Sequence, residues 1–443
     1  MMNETYDILI TGGLLLTMSE DMKILEKSVI GIRDGRIVLI ETFKKDNAPL
    51  YRAKETIDAT DCLVMPGLVN THTHLPMVCF RGMADDLPLM EWLANHIWPA
   101  ESKHVSREMV YAGSMLAMAE MILSGTTTFC DAYFHESSVA NATMDSGMRG
   151  ILCQGFIDLP TPNEPSQMKE VAERFLNKWQ GKSPLIIPAL ACHAPYSCSP
   201  ATLTCIKDAA RKAGVPYTIH VSETKEEVSI MKERYGKWPF VHLRDLGVLD
   251  QQTIAVHCNW LVEEEIDIIC ACNVRVSHNP ESNLKLAAGI APIPKLLRKG
   301  VIVGLGTDGA ASNNDLDLFG DMDMAAKIHK VVEMDPTVMD AVTVLKMATI
   351  DGARVLGLDD RIGSIEVGKG ADIIILDTTS PHWTPLFNPC SQLVYAASGA
   401  DVRTSIIGGR TIMRDRKLLM MDLPVITKEV RNIAAYIAKE FSS

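Results

Sequence analysis

The chain has no Cys-x-x-Cys pair, although it carries 11 cysteines among 443 residues, and the closest two are Cys270 and Cys272. An odd and scattered set of thiols argues against a disulfide framework or a cysteine-built zinc module and predicts a reduced, cytoplasmic setting. Cys130, Cys153 and Cys192 stand inside apolar runs, where a thiol behaves as a small hydrophobe. No apolar run approaches the roughly 20 residues that a membrane span needs, so no membrane partner is expected. The stretch from Ile8 to Met18 follows Glu4 and Asp7 and is broken by Gly12-Gly13, which predicts strand and turn rather than a signal core. Basic tracts are missing too. With 43 Lys and Arg against 55 Asp and Glu, the net charge of −12 disfavours nucleic acid as a partner. Internal repeats and low-complexity segments are absent, and no HxE motif pairs with PCxxC, which excludes the cytidine-deaminase type of zinc site.

What is present is a globular composition, 47% hydrophobic and 22% charged, with a change of pattern along the chain. The first ~60 residues read as short antiparallel strands, with Asp34-Gly35 as a hairpin turn. Residues 366–443 read similarly, with Gly408-Gly409 as a turn and a closing helix from Thr427 to Phe441. Each end is too short for a good core alone, so residues 1–62 and 366–443 are expected to meet as one composite β-sandwich.

Between them, residues 63–365 alternate strand and helix, the signature of a parallel sheet. Eight candidate strands occur: Leu63 to Asn70, Thr126 to Tyr133, Gly150 to Asp158, Leu185 to Cys192, Pro216 to Val221, Thr253 to Trp260, Asn273 to Ser277 and Val301 to Thr307. Eight strands close a barrel, so the fold class is α/β, a distorted (β/α)8 TIM-type barrel. Helices are predicted over Glu108 to Ser124 and Pro200 to Ala213, each followed by glycine. Met115, Met118 and Met121 within the first have helix-core spacing.

The chemistry sits at strand ends. His72 and His74 are two apart and share a face, so both can reach one ion. His220 and Asp308 occupy matching places on two other strands, and His257 ends a third. Three imidazoles and one carboxylate leave a position for water, the pattern of a catalytic divalent-metal site, with Zn²⁺ favoured and Fe²⁺ or Mn²⁺ as alternatives. His96, His104, His242, His329 and His382 match no strand end, whereas His135 and His278 each follow a strand and could line the mouth.

The runs Pro66-Gly67-Leu68-Val69-Asn70-Thr71-His72-Thr73-His74, His220-Val221-Ser222-Glu223, His257 and Gly306-Thr307-Asp308-Gly309 together resemble the amidohydrolase superfamily. Glu91-Trp92, Gly147-Met148-Arg149, Cys192-His193-Ala194-Pro195-Tyr196 and Ser277-His278-Asn279-Pro280 are similar to 5-methylthioadenosine/S-adenosylhomocysteine deaminases. Guanine or pterin deaminases and s-triazine chlorohydrolases share much of the pattern. Two-metal members carry a lysine on the fourth strand; Leu185 to Pro195 has none, which implies one ion held by His72, His74, His220 and Asp308.

The resemblance further implies that Asp308 takes a proton from water, His257 orients that water, and Glu223 is a protonated acid directed at a ring nitrogen. It implies Glu91 on the ribose hydroxyls, Arg149 on the carboxylate end of the substrate tail and His193 on the nucleoside. Carboxylate against diol and guanidinium against carboxylate are sensible pairings. The loops Arg81 to Glu101 and Asp158 to Ser166 would close the pocket. The expected activity is hydrolytic deamination of S-adenosylhomocysteine or 5′-methylthioadenosine by a homo-oligomer acting on a small nucleoside. A barrel without catalysis, serving structure only, would have lost ligands, and all of those named are present.

Overall fold

Pro66-Gly67 divides one apolar run into two strands that serve different sheets. In the computed structural model, which describes residues 5–42, 51–159, 161 and 164–441, Cys62–Pro66 belongs to a sheet built from the chain ends. The next strand, β1 (Leu68–Thr73), opens an eight-stranded parallel sheet. The sequence predicts a single strand here; proline, lacking an N–H, stands at the break. Gly67 is required by packing, because a Cβ at this position would lie 2.1 Å from Thr127 Oγ1.

The parallel sheet continues in chain order through β2 (Thr126–Tyr133), β3 (Arg149–Phe156), β4 (Ile186–Cys192), β5 (Tyr217–Val221), β6 (Thr253–His257), β7 (Arg275–His278) and β8 (Val303–Leu305). These strands are buried on both faces, as parallel strands covered by helices must be. The barrel closes between β8 and β1. Asp308 N donates to His72 O at 3.0 Å, a parallel bridge joins Thr73 to Asp308, and Asn70 spans the seam to Thr307 through its side-chain amide, 2.8 Å from Thr307 Oγ1. β8 is shorter than the predicted Val301 to Thr307, since its C-terminal residues leave the ladder to form this seam.

Helices form where capping and periodicity agree. Arg107–Leu123 starts at Ser106, whose Oγ accepts from Met109 N at 3.2 Å, and it buries Met115, Met118 and Met121 as their spacing predicts. Pro200–Ala213 is capped by Ser199 and ends at Gly214, whose φ of +68° is cheap only for glycine. Among the described residues no helix is long and apolar enough to cross a membrane, and all 11 cysteines are free thiols.

The chain ends do meet. A four-stranded sheet of N-terminal strands packs against a seven-stranded sheet in which Ile373–Asp377 pairs antiparallel with Cys62–Pro66. Ile10, Ile30 and Ile57 from one sheet share a core with Val64, Ile375 and Ile406 from the other. The predicted hairpin at Asp34-Gly35 links Ser28–Arg33 to Arg36–Thr42, and Gly408-Gly409 turns between Val402–Ile407 and Arg410–Arg414. The closing helix begins earlier than predicted, at Leu423.

Candidate active site

His74, His220, His257 and Asp308, each at or just past a strand end, line one cavity of about 670 Å³ at the C-terminal mouth of the barrel, within the usual size of a small-molecule site. His72 ends in the core, fully buried, and His74 stands one pleat further, at the rim. Asp131 on β2 fixes the backbone around them: its Oδ1 accepts from Thr73 Oγ1 at 2.9 Å and from Leu75 N at 2.7 Å.

His72, His74 and His220 offer ring nitrogens that all lie within 4.8 Å of one another. His72 Nε2 stands 3.1 Å from His220 Nε2, close to the tetrahedral edge of about 3.3 Å that follows from Zn–N bonds of about 2.0–2.1 Å. Two of the outer nitrogens are held by main-chain carbonyls, His74 Nδ1 by Ala132 O at 2.6 Å and His220 Nδ1 by His193 O at 2.7 Å. That arrangement turns each Nε2 lone pair inward. Burial lowers the pKa of His72 to about 4 and that of His220 well below its ordinary value, so both rings are neutral donors near pH 7. The donor set therefore fits a divalent ion.

Asp308 stands beside it. Its Oδ1 lies 3.5 Å from His72 Nε2 and 3.4 Å from His74 Nε2. Burial pushes this carboxyl up, but its contact with His72 and the nearness of His74 and His257 outweigh that, and the group is held ionised, well below the usual range. The other oxygen, Oδ2, accepts from Ser282 Oγ at 2.6 Å and Ser312 Oγ at 2.9 Å. The sequence assigns neither hydroxyl a role, although the run Ser282-Asn283-Leu284-Lys285 shares in the family resemblance. Ser282→Ala is expected to lower kcat about tenfold by loosening the carboxylate, with Ser282→Thr retaining most of it, as kinetics alongside elemental metal analysis would show.

Glu223 follows β5, its side chain 12% exposed, with Oε1 3.6 Å from His257 Nε2. Burial first, and then the charge of Asp308, raise its pKa to about 8, so it is a protonated acid at neutral pH. Glu227 pins the loop that carries it by accepting from Ser222 N and Glu223 N, both at 2.8 Å. His257 is anchored by a relay of amides. Its Nδ1 meets Asn283 Oδ1 at 2.8 Å, Asn283 donates to Asn259 Oδ1 at 2.9 Å, and Asn259 donates to Glu223 O at 3.0 Å. Because the Asn283 amide nitrogen is spent on Asn259, its oxygen faces His257, which must donate from Nδ1 and present Nε2 to the cavity. His257 and Asp308 both have positive φ, 72° and 63°, a strained backbone of the kind concentrated at functional sites.

The predicted substrate residues divide. His193 lines the cavity, its Nδ1 2.6 Å from Ser197 Oγ. Glu91 does not; it is exposed on Leu89–Trp92, while Leu89 and Trp92 of the same turn face inward. Besides Glu223 and Asp308, a carboxyl that does line the cavity is Glu101, whose Oε1 accepts from Tyr133 OH at 2.5 Å. Arg149 is also corrected. As the first residue of β3 it lies at the opposite, N-terminal end of the barrel, where Nε and Nη2 contact Asp372 Oδ2 and Oδ1 at 2.8 and 3.1 Å. It is 5% exposed and ties the barrel to the sheet of the chain ends.

Of the two loops expected to close the pocket, the one from Arg81 to Glu101 supplies much of the wall, including Trp92 and Trp98. In the other, residues 160, 162 and 163 lie outside the described set. His135 lines the cavity, whereas His278 is buried against His329, the two Nε2 atoms 3.1 Å apart.

The model of the amidohydrolase family matches residues 63–412. The chain belongs to the amidohydrolase family. Among amidohydrolase relatives, it is 47% identical over 433 residues to a 5-methylthioadenosine/S-adenosylhomocysteine deaminase of Syntrophobacter fumaroxidans, covering 97% of this chain and 98% of the relative. It is 46% identical over 429 residues to a 5′-deoxyadenosine deaminase of Methanosarcina acetivorans, at 97% and 98% coverage. Its fold matches the crystal structure of an adenosine deaminase from Xanthomonas campestris with bound zinc, at a TM-score of 0.94 and 38% identity over 98% of this chain and 99% of that one. The amidohydrolase barrel, the histidine cluster and the cavity thus coincide on one site for a divalent metal.

Proposed function

We propose that this amidohydrolase is a hydrolytic deaminase of 5′-substituted adenosines, converting them to the corresponding inosines with release of ammonia. The observation that carries the reading is the largely buried Glu223 carboxyl, 3.6 Å from His257 Nε2, in the same nucleoside-sized cavity as a three-histidine cluster with Asp308 beside it. A centre for metal storage has no use for such an acid. The relatives named as deaminases of methylthioadenosine, S-adenosylhomocysteine and 5′-deoxyadenosine support the substrate class.

His72, His74, His220 and Asp308 would hold the ion, which we take to be zinc. When bound, such an ion lowers the pKa of water toward neutrality and supplies the nucleophile. The protein groups carry the protons. Asp308 takes one from the attacking water, and Glu223 gives its own to N1 as C6 becomes tetrahedral. Asp308 then returns its proton to the amino group, which leaves as ammonia, and Glu223 recovers one from the new hydroxyl as the carbonyl forms. Through Nε2, His257 accepts a hydrogen bond from the water and fixes its direction of attack. Glu101 accepts from the ribose hydroxyls, and His193 meets the nucleoside from the β4 side.

Chelation provides the test. Ammonia release from 5′-deoxyadenosine or methylthioadenosine is expected to vanish after treatment with a chelator and to return on adding zinc. Ammonia release that persists in protein shown by elemental analysis to be metal-free would sink the reading.

A further inference from the structure

The wall of the cavity contrasts with the centre it surrounds. Trp92, Leu93, Ile97 and Trp98 face it from one helical segment, with Phe156 and Val171 among the apolar residues elsewhere on the wall. Among the described residues that line it there is no lysine or arginine. Lys285, next to the lining residue Leu286, is paired with Asp85 at 2.8 Å, and Arg149 is committed to Asp372 at the far end of the barrel. The carboxyl side chains on the wall are Glu101, Glu223 and Asp308, each with a role at the ribose or the reacting ring.

Building on the deaminase reading, we infer that this site selects adenosines whose 5′ substituent is uncharged, such as 5′-deoxyadenosine and 5′-methylthioadenosine, over S-adenosylhomocysteine. The tail of the latter ends in an amino acid with both an ammonium and a carboxylate. A carboxylate that leaves water for an apolar wall gives up its hydration and finds no guanidinium or ammonium in return. A methyl or methylthio group makes the same passage with a gain, since it removes apolar surface from water. Charge, rather than length, is therefore what the wall selects against.

Gln154 marks where the selectivity can be changed. It lines the cavity near the C-terminal end of β3, and its Nε2 donates to the neighbouring carbonyl of Gly155 at 3.3 Å rather than to the metal centre. A guanidinium at this position would put a cation on the wall without removing a ligand or the acid.

The experiment compares kcat/KM for ammonia release by the zinc-loaded protein on 5′-deoxyadenosine, methylthioadenosine, 5′-butylthioadenosine and S-adenosylhomocysteine. The uncharged three are expected to exceed S-adenosylhomocysteine by about tenfold or more, the scale set by one poorly matched polar group. Gln154→Arg is expected to narrow that gap by roughly fivefold, through a gain on S-adenosylhomocysteine. Two outcomes overturn the inference while leaving the deaminase reading intact: S-adenosylhomocysteine turned over as well as methylthioadenosine, or the butylthio compound as poor as S-adenosylhomocysteine. Silence on all four adenosines overturns the deaminase reading itself.

Discussion

Glu223→Gln is expected to cut kcat by about 10³-fold, within the usual range for loss of a general acid, while zinc content and fold stay unchanged. Glutamine keeps the shape and can still donate a hydrogen bond to N1, but it cannot release a proton as C6 rehybridises. The metal ligands lie on other residues, so the loss belongs to chemistry and not to assembly of the site. Elemental analysis and circular dichroism of the variant beside its steady-state kinetics separate the two. Turnover within about threefold of wild type would remove Glu223 from the mechanism.

The pH profile gives an independent reading of the same group. With its pKa raised to about 8 in the free protein, Glu223 is protonated and competent below that pH, so kcat/KM should fall as pH climbs past about 8. In Glu223→Gln the residual rate should lose this alkaline limb. A limb that persists in the variant would assign it to another group.

The second large effect is on stability. Arg149→Ala is expected to cost about 3–5 kcal/mol of folding free energy, because it leaves the Asp372 carboxylate buried without its partner. Arg149 and Asp372 are 5% and 4% exposed, and the two ends of the guanidinium meet the two carboxylate oxygens. Gly408 N also donates to Asp372 Oδ1 at 2.6 Å, so the loss should spread into the turn that this residue begins. Denaturant unfolding would record it as a lower midpoint. The protein that remains folded should lose activity equally on S-adenosylhomocysteine and adenosine. A selective loss on S-adenosylhomocysteine, at unchanged stability, would return Arg149 to the substrate.

The candidate metal centre was legible because each residue placed around it ends an apolar strand. His72, His74, His220, His257 and Asp308 all follow runs that are buried on both sides, and a barrel gathers such ends at one mouth. That logic also held the warning about Arg149. It precedes the apolar run Ile151-Leu152-Cys153, so it starts a strand, and a residue at the start of a barrel strand faces away from the mouth. Glu91 failed for a related reason, helical phase: Leu89, Trp92 and Leu93 face inward at i, i+3 and i+4, which turns Glu91 outward. Nothing local distinguishes Glu101 from its neighbours, since its role depends on a partner, Tyr133, that comes from another strand end. Ser282, Ser312 and Asn259 act through hydrogen bonds that exist only once the loops above β6, β7 and β8 have converged.

The pairing of Cys62–Pro66 with Ile373–Asp377 has a consequence in time. A chain emerging from the ribosome at about 5–20 residues per second makes the first of these strands tens of seconds before the second. Through that interval the edge of Cys62–Pro66 that awaits Ile373–Asp377 is unpaired, while barrel strands downstream already have their neighbours. The isoleucines of the first sheet wait as well, because the face they pack against is completed by Ile373, Ile375 and Ile406. Those early strands therefore stay open until Ile373–Asp377 and Ile406 have been made, and a chain cut before them would never close this core.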